Sequence, residues 1–184
     1  MSVLKRIRGV SYGTAMICAV PAMAQTESEP TPPPSPQAPP SCEADAYRSF
    51  DFWVGEWEVR TPQGQLAGTN SIQPINNGCA LLERYSQGGN PAGQSYNFYD
   101  HVRGTWTQLW LSRGVIIRME GPAIEEGTLT LDGTITYANQ DAPRPFRGRW
   151  TARDDGSVLQ EFWERDPETG EWGNWFTGIY TRTD

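Results

Sequence analysis

The chain has 184 residues, with 15 Lys or Arg against 22 Asp or Glu, a single His, three Cys and a formal net charge of −7. An acidic chain whose nearest approach to a basic cluster is Arg144, Arg147, Arg149 and Arg153 lacks the electrostatic footprint of a nucleic-acid or anionic-membrane binder. One histidine cannot build a His-based metal cage or a two-histidine catalytic dyad, and the length suits one domain.

The first 24 residues read as a secretory leader. Lys5, Arg6 and Arg8 form a basic n-region, residues 10–20 are the apolar stretch, and Ala22-Met23-Ala24 fits the small-x-small cleavage rule. The apolar run is far below the ~20 residues of a membrane span, so the expectation is cleavage after Ala24 and no membrane span in the mature form. Loss of Lys5, Arg6 and Arg8 takes the basic count from 15 to 12 against 22 acids, a mature net charge of about −10. The expected location is periplasmic or secreted. Cys42 and Cys79 remain, and an even count in an oxidising compartment predicts a Cys42–Cys79 disulfide.

Residues 25–41 carry seven prolines and predict a semi-rigid tether without a core. Residues 43–52 place Ala44, Tyr47 and Phe50 at helix-like spacing, which predicts one or two helical turns. From there to the end, turn signals recur every 8–12 residues, the pattern of an all-β barrel or sandwich. Strands are predicted near 56–61, 66–74, 79–87, 94–101, 104–112, 115–120, 126–131, 134–139, 146–153, 157–165 and 174–182. Turns are read at Pro62-Gln63-Gly64, Asn76-Asn77-Gly78, Gly88-Gly89-Asn90-Pro91, Arg113-Gly114, Asp132-Gly133, Asp155-Gly156 and Pro167-Glu168-Thr169-Gly170. Consecutive hairpins favour an up-and-down antiparallel β-barrel of about ten strands over residues 43–184, which also removes exposed sheet edges.

The entry to this barrel is Phe50-Asp51-Phe52-Trp53-Val54-Gly55-Glu56-Trp57. Gly55-x-Trp57 on the first strand, with Arg182 on the last, resembles the lipocalin and fatty-acid-binding (calycin) barrels. A closer likeness is to a bacterial family of lipocalin-like domains, carried by that entry and by Gly78-Cys79 with Glu83. It continues through Ser95-Tyr96-Asn97-Phe98-Tyr99-Asp100, Trp106-x-Gln108-x-Trp110, Asp155-Gly156-x-Val158-x-Gln160 and Gly178-x-Tyr180-x-Arg182. The resemblance spans roughly residues 50–182. It implies a barrel whose Trp57 packs at the closed end with Arg182 over it, and it implies no agreed reaction.

Turn positions also predict which side chains share a face. With Val102-Arg103 at the hairpin tip, paired positions sum to 205, so Tyr99 faces Trp106, Asn97 faces Gln108 and Ser95 faces Trp110 on one side. Tyr96, Phe98, Thr107 and Leu109 take the other side. Carboxamides between aromatic rings suit a ligand pocket, with apolar walls and a few orienting polar groups. They equally suit a filled core in which the amides satisfy one another. Glu83, between Leu81 and Tyr85, is the acid expected to look inward, with Gln160 and Tyr180 nearby. At Asp155-Gly156 the two-residue tip gives a sum of 311, which pairs Thr151 with Gln160, Arg149 with Phe162 and Arg147 with Glu164; a three-residue tip shifts this by one.

The expectation is an exported, non-enzymatic barrel holding a small, partly apolar ligand against Glu83, Asn97, Tyr99, Trp106, Gln108, Trp110, Gln160 and Tyr180. One alternative is a small lumenal hydrolase or isomerase using Glu83 with Arg147 or Arg149. The other is a structural envelope domain with a filled core. No cofactor and no metal are expected, because His101 sits at a hairpin tip and neither a phosphate-cradling glycine loop nor a Gly-x-Ser-x-Gly elbow occurs.

Overall fold

In the computed structural model, residues 41–122 and 127–183 are described. The expected leader at 1–24 and residues 25–40 of the expected tether lie outside the described residues. A short helix α1 (Asp45–Arg48) and a 3-10 turn (Asp51–Trp53) precede ten strands. These are β1 (Gly55–Arg60), β2 (Leu66–Ile75), β3 (Ala80–Gln87), β4 (Asn90–Asp100), β5 (Thr105–Ser112), β6 (Val115–Pro122), β7 (Thr128–Tyr137), β8 (Arg144–Ala152), β9 (Val158–Arg165) and β10 (Trp172–Arg182). All neighbours are antiparallel and follow chain order, and β1 pairs with β10, so the sheet closes into a barrel without edges.

The hairpin register at Val102-Arg103 is the one the turn predicts: Tyr99 pairs with Trp106, Asn97 with Gln108 and Ser95 with Trp110. Two expectations are corrected. Asp132-Gly133 is not a turn: β7 runs straight through it, and the two strands expected at 126–131 and 134–139 are one. Gly133 instead lets two backbones approach, since a Cβ there would lie 1.9 Å from the Arg118 carbonyl oxygen. The β8–β9 tip is the three-residue Asp154-Asp155-Gly156, with Gly156 at φ +78 and the Arg153 amide donating to the Ser157 carbonyl. Paired positions therefore sum to 310. Trp150 faces Gln160, Arg149 faces Glu161 and Arg147 faces Trp163, in place of the pairs expected from a two-residue tip. A smaller shift occurs at β3–β4, where the tip is Gly88-Gly89 and β4 starts at Asn90.

One end of the barrel is plugged by the entry segment. Phe50 and Trp53 have no exposed surface, and their rings stack at 4.9 Å between centroids. Phe50 also meets Trp106 and Trp150 edge-on, at 5.5 and 5.6 Å. The Trp57 indole N–H donates to the Trp53 carbonyl at 2.9 Å, and the Trp106 indole donates to Ser49 Oγ at 3.0 Å. Arg182 lies with its Cζ 4.4 Å from the Trp57 ring centre. Gly55 leaves room for that guanidinium, because a Cβ there would sit 2.3 Å from Arg182 Nη1. The disulfide joins Cys42, just before α1, to Cys79, between β2 and β3, and so ties the plug to the wall.

Candidate functional site

Alternation along each strand sends one set of side chains into the barrel. On β6, β7 and β8 the buried residues of that set are apolar: Ile117, Met119, Leu129, Leu131, Ile135, Phe146 and Trp150. On β2, β3, β4, β5 and β9 it includes polar groups that are almost fully buried: Asn70, Glu83, Ser95, Asn97, Gln108 and Gln160. These are linked into one hydrogen-bonded chain. Gln108 Nε2 donates to Asn97 Oδ1 at 2.8 Å, and Asn97 Nδ2 donates to Ser95 Oγ at 2.8 Å. Ser95 Oγ donates to Glu83 Oε2, while Asn70 Nδ2 donates to Glu83 Oε1 at 2.7 Å and to the Tyr180 hydroxyl at 3.2 Å. Tyr180 donates in turn to Gln160 Oε1. The chain thus runs from β5 to β9, with the side chains of one β-hairpin at one end and of another at the other.

Above this belt, toward the end opposite the plug, lies a cavity of about 220 Å³. Glu83, Gln160 and Tyr180 contribute its polar groups at the inner end. Tyr85, Trp110, Ile117, Phe162, Trp175 and Phe176 form its apolar wall, and Gln87 completes the lining. A bulge in β10 between Asn174 and Phe176 puts two consecutive aromatics, Trp175 and Phe176, into that wall. The Trp175 indole is fixed at the rim by donating to the Tyr137 hydroxyl at 3.0 Å. Tyr137 donates to Glu164 at 2.6 Å, and Arg144 donates to the other oxygen of Glu164 at 2.8 Å.

Glu83 is the one acidic side chain in the lining. Burial raises its pKa from 4.5 to about 7, against the opposing pull of the Ser95 and Asn70 hydrogen bonds. The Tyr180 hydroxyl is pushed well up, first by burial and then by the Glu83 charge. Tyr85 is raised by the same two causes in the same order.

The sequence-derived set divides among three levels. Glu83, Trp110, Gln160 and Tyr180 line the cavity. Asn97 and Gln108 belong to the hydrogen-bonded belt and do not line it. Tyr99 and Trp106 lie lower still, against Tyr47 at 5.2 Å and against Ser49. Tyr96 and Phe98 point outward and are exposed. Arg147 and Arg149 also stand on the outer face: Arg147 pairs with Asp132 and lies over Trp172, and Arg149 pairs with Glu161 and lies over Trp163. Neither converges on Glu83. His101 is exposed in the β4–β5 turn, and among the described residues no cluster of His, Cys, Asp and Glu could hold a metal ion.

The sequence reading missed Asn70, Tyr85, Ile117, Phe162, Trp175 and Phe176. Tyr85 and Phe162 were within reach, each two residues from a residue already placed inward. Trp175 and Phe176 were not, because alternation forbids adjacent inward side chains unless a bulge intervenes. Comparison of the chain with protein-family models and with curated proteins finds no match.

Proposed function

We propose that this chain is an exported, non-enzymatic barrel that carries a small, partly apolar molecule in the open part of its lumen. The observation that carries this reading is the cavity: aromatic walls on most sides and three polar side chains gathered at its inner end. An apolar cavity of ~150 Å³ suffices to hold benzene, so about 220 Å³ accommodates a substituted single ring. The basic-apolar-small pattern of residues 1–24 and the Cys42–Cys79 disulfide support export to an oxidising compartment. The lipocalin-like Gly55-x-Trp57 and Arg182 support the assignment of the Trp57 end as the closed one. The hydrolase or isomerase alternative needs an arginine beside Glu83, and the outward placement of Arg147 and Arg149 leaves that requirement without support. The filled-core alternative is supported only at the plugged end.

Titration with 2-phenylethanol, followed by tryptophan fluorescence, tests the reading, since Trp110 and Trp175 form part of the wall. A saturable one-to-one change is expected, and Ile117→Phe, which fills the cavity, should remove it while the circular dichroism of the barrel persists. A flat response to this alcohol and to its amine counterpart, phenethylamine, would overturn the reading.

A further inference from the structure

The lining of the cavity is unusual in its charge balance. Glu83 is 2% exposed, and its two carboxylate oxygens receive one hydrogen bond each, from the neutral donors Ser95 and Asn70. No basic side chain pairs with it among the described residues. A carboxylate oxygen pair has about four lone-pair sites, so acceptor capacity is left over at the cavity. The surplus extends to Asn70 Oδ1, a buried acceptor without a donor among the described residues. The cavity that Glu83 lines is walled by the aromatic rings of Tyr85, Trp110, Phe162, Trp175, Phe176 and Tyr180. Aromatic rings that surround a desolvated site attract cations through their quadrupoles.

We propose that the cavity selects a small apolar amine, with its ammonium group set on the Glu83 carboxylate and its hydrocarbon part among the aromatic side chains. This rests on the reading of the upper lumen as the ligand site. An ammonium group carries three donors and no acceptor, which matches the spare acceptor capacity of Glu83 and of Asn70 Oδ1. A neutral alcohol satisfies one acceptor and leaves the carboxylate without a counter-charge. An anionic ligand meets Glu83 as a like charge in a low-dielectric site. The long-range field agrees, since a chain of net charge −7 attracts cations.

The proposal carries a pH dependence. The groups facing Glu83 are Asn70 on β2, Tyr85 on β3, Ser95 on β4, Gln160 on β9 and Tyr180 on β10. Of these only the two tyrosines titrate, and both are raised above 10, so Glu83 alone changes charge near neutrality. An ammonium ligand binds the ionised form and displaces the proton of the neutral one. Amine affinity therefore falls as pH drops below about 7.

The test is calorimetric titration of the full chain with phenethylamine, 2-phenylethanol and 3-phenylpropionate at about pH 8, a unit above the Glu83 value. The amine should bind about tenfold or more tightly than the alcohol, and the carboxylate weakest. Glu83→Gln should bring the amine and alcohol affinities to within about threefold of each other. In the wild-type chain, lowering the pH to about 5.5 should weaken the amine about thirtyfold and leave the alcohol unchanged, which decides the matter even where the Gln variant folds poorly. Alcohol binding equal to or tighter than amine binding, a preference that survives Glu83→Gln, or a pH-independent amine affinity overturns the amine proposal and leaves the ligand site standing. Absence of binding by all three compounds overturns both.

Discussion

The two ends of this barrel use aromatic side chains for opposite purposes. At the plugged end, Phe50, Trp53, Trp57, Trp106 and Trp150 are buried to the last 1% and interlock ring against ring. At the other end, Trp110, Trp175 and Phe176 are only partly buried and enclose a void. The difference comes from what backs the rings. The lower rings are pressed together by a segment of chain covalently tied to the wall through Cys42–Cys79. The upper rings surround an open space, and among them Trp175 is held by a hydrogen bond to Tyr137 at the rim. Close-packed rings give stability, whereas rings around a void give up dispersion contacts that a ligand can restore. The hydrogen-bonded belt from Gln108 to Gln160 separates these regimes and faces both.

The sharpest way to break the comparison is to truncate one ring at each end. Trp57→Ala removes a buried indole, its bond to the Trp53 carbonyl and the platform under Arg182, and should cost ~3–5 kcal/mol in denaturant unfolding. A loss below about 1 kcal/mol would mean that the plug does not carry the fold. Opening the disulfide by a Cys42→Ser, Cys79→Ser double substitution tests the same end through the chain. A loop of 37 residues is worth about 3–4 kcal/mol in the chain-entropy model, and the thermal midpoint should fall accordingly. Unfolding free energies that are equal with and without the bond would show that the entry segment docks unaided.

The belt gives a test in pH. The Glu83 carboxyl is raised in the folded state, from 4.5 to about 7, so the native chain holds a proton that the unfolded chain has released. Stability due to this group is full below about pH 4.5 and is lost as pH rises through about 7. Glu83→Gln should therefore unfold like the wild type near pH 4.5, and should be more stable by about 3 kcal/mol at about pH 8. A difference that does not change between these pH values would place the carboxyl in contact with solvent. Within the same belt, Gln108→Leu leaves Asn97 Oδ1 without its donor and should cost ~1–3 kcal/mol. The smallest effect belongs to the rim: Trp175→Ala, at a site 42% exposed, should change stability by less than about 1 kcal/mol. The same change should weaken 2-phenylethanol binding measurably. The reverse pattern, with lost stability and unchanged binding, would move the ligand site away from the upper lumen.

Local chemistry decided the features that were legible in advance. The turn at Val102-Arg103 sets the register of β4 on β5, and period-two alternation then places Ser95, Asn97 and Gln108 on one face, which is where they lie. Alternation alone also put Glu83 inside. Where a local signal has two structural uses, it misled. Asp132-Gly133 has the composition of a hairpin tip, yet Gly133 serves a close approach of two backbones inside β7. The loop at Asp155-Gly156 is one residue longer than its dipeptide suggests, which moved Arg147 and Arg149 to partners other than those expected.

By itself, then, the sequence determined most strand positions and the faces of the β4–β5 hairpin, because these depend on neighbours a few residues apart, and it pointed to the Cys42–Cys79 bond. Only the tertiary structure decided the depth of each inward side chain along the barrel axis. The bond from Asn70 to Tyr180 spans 110 positions and exists because β1 closes on β10. That closure and the stagger it imposes on the strands are properties of the whole sheet. They put Asn97 and Gln108 in the belt, Glu83 and Gln160 at the cavity, and Trp106 in the plug, although all five share the same alternating code.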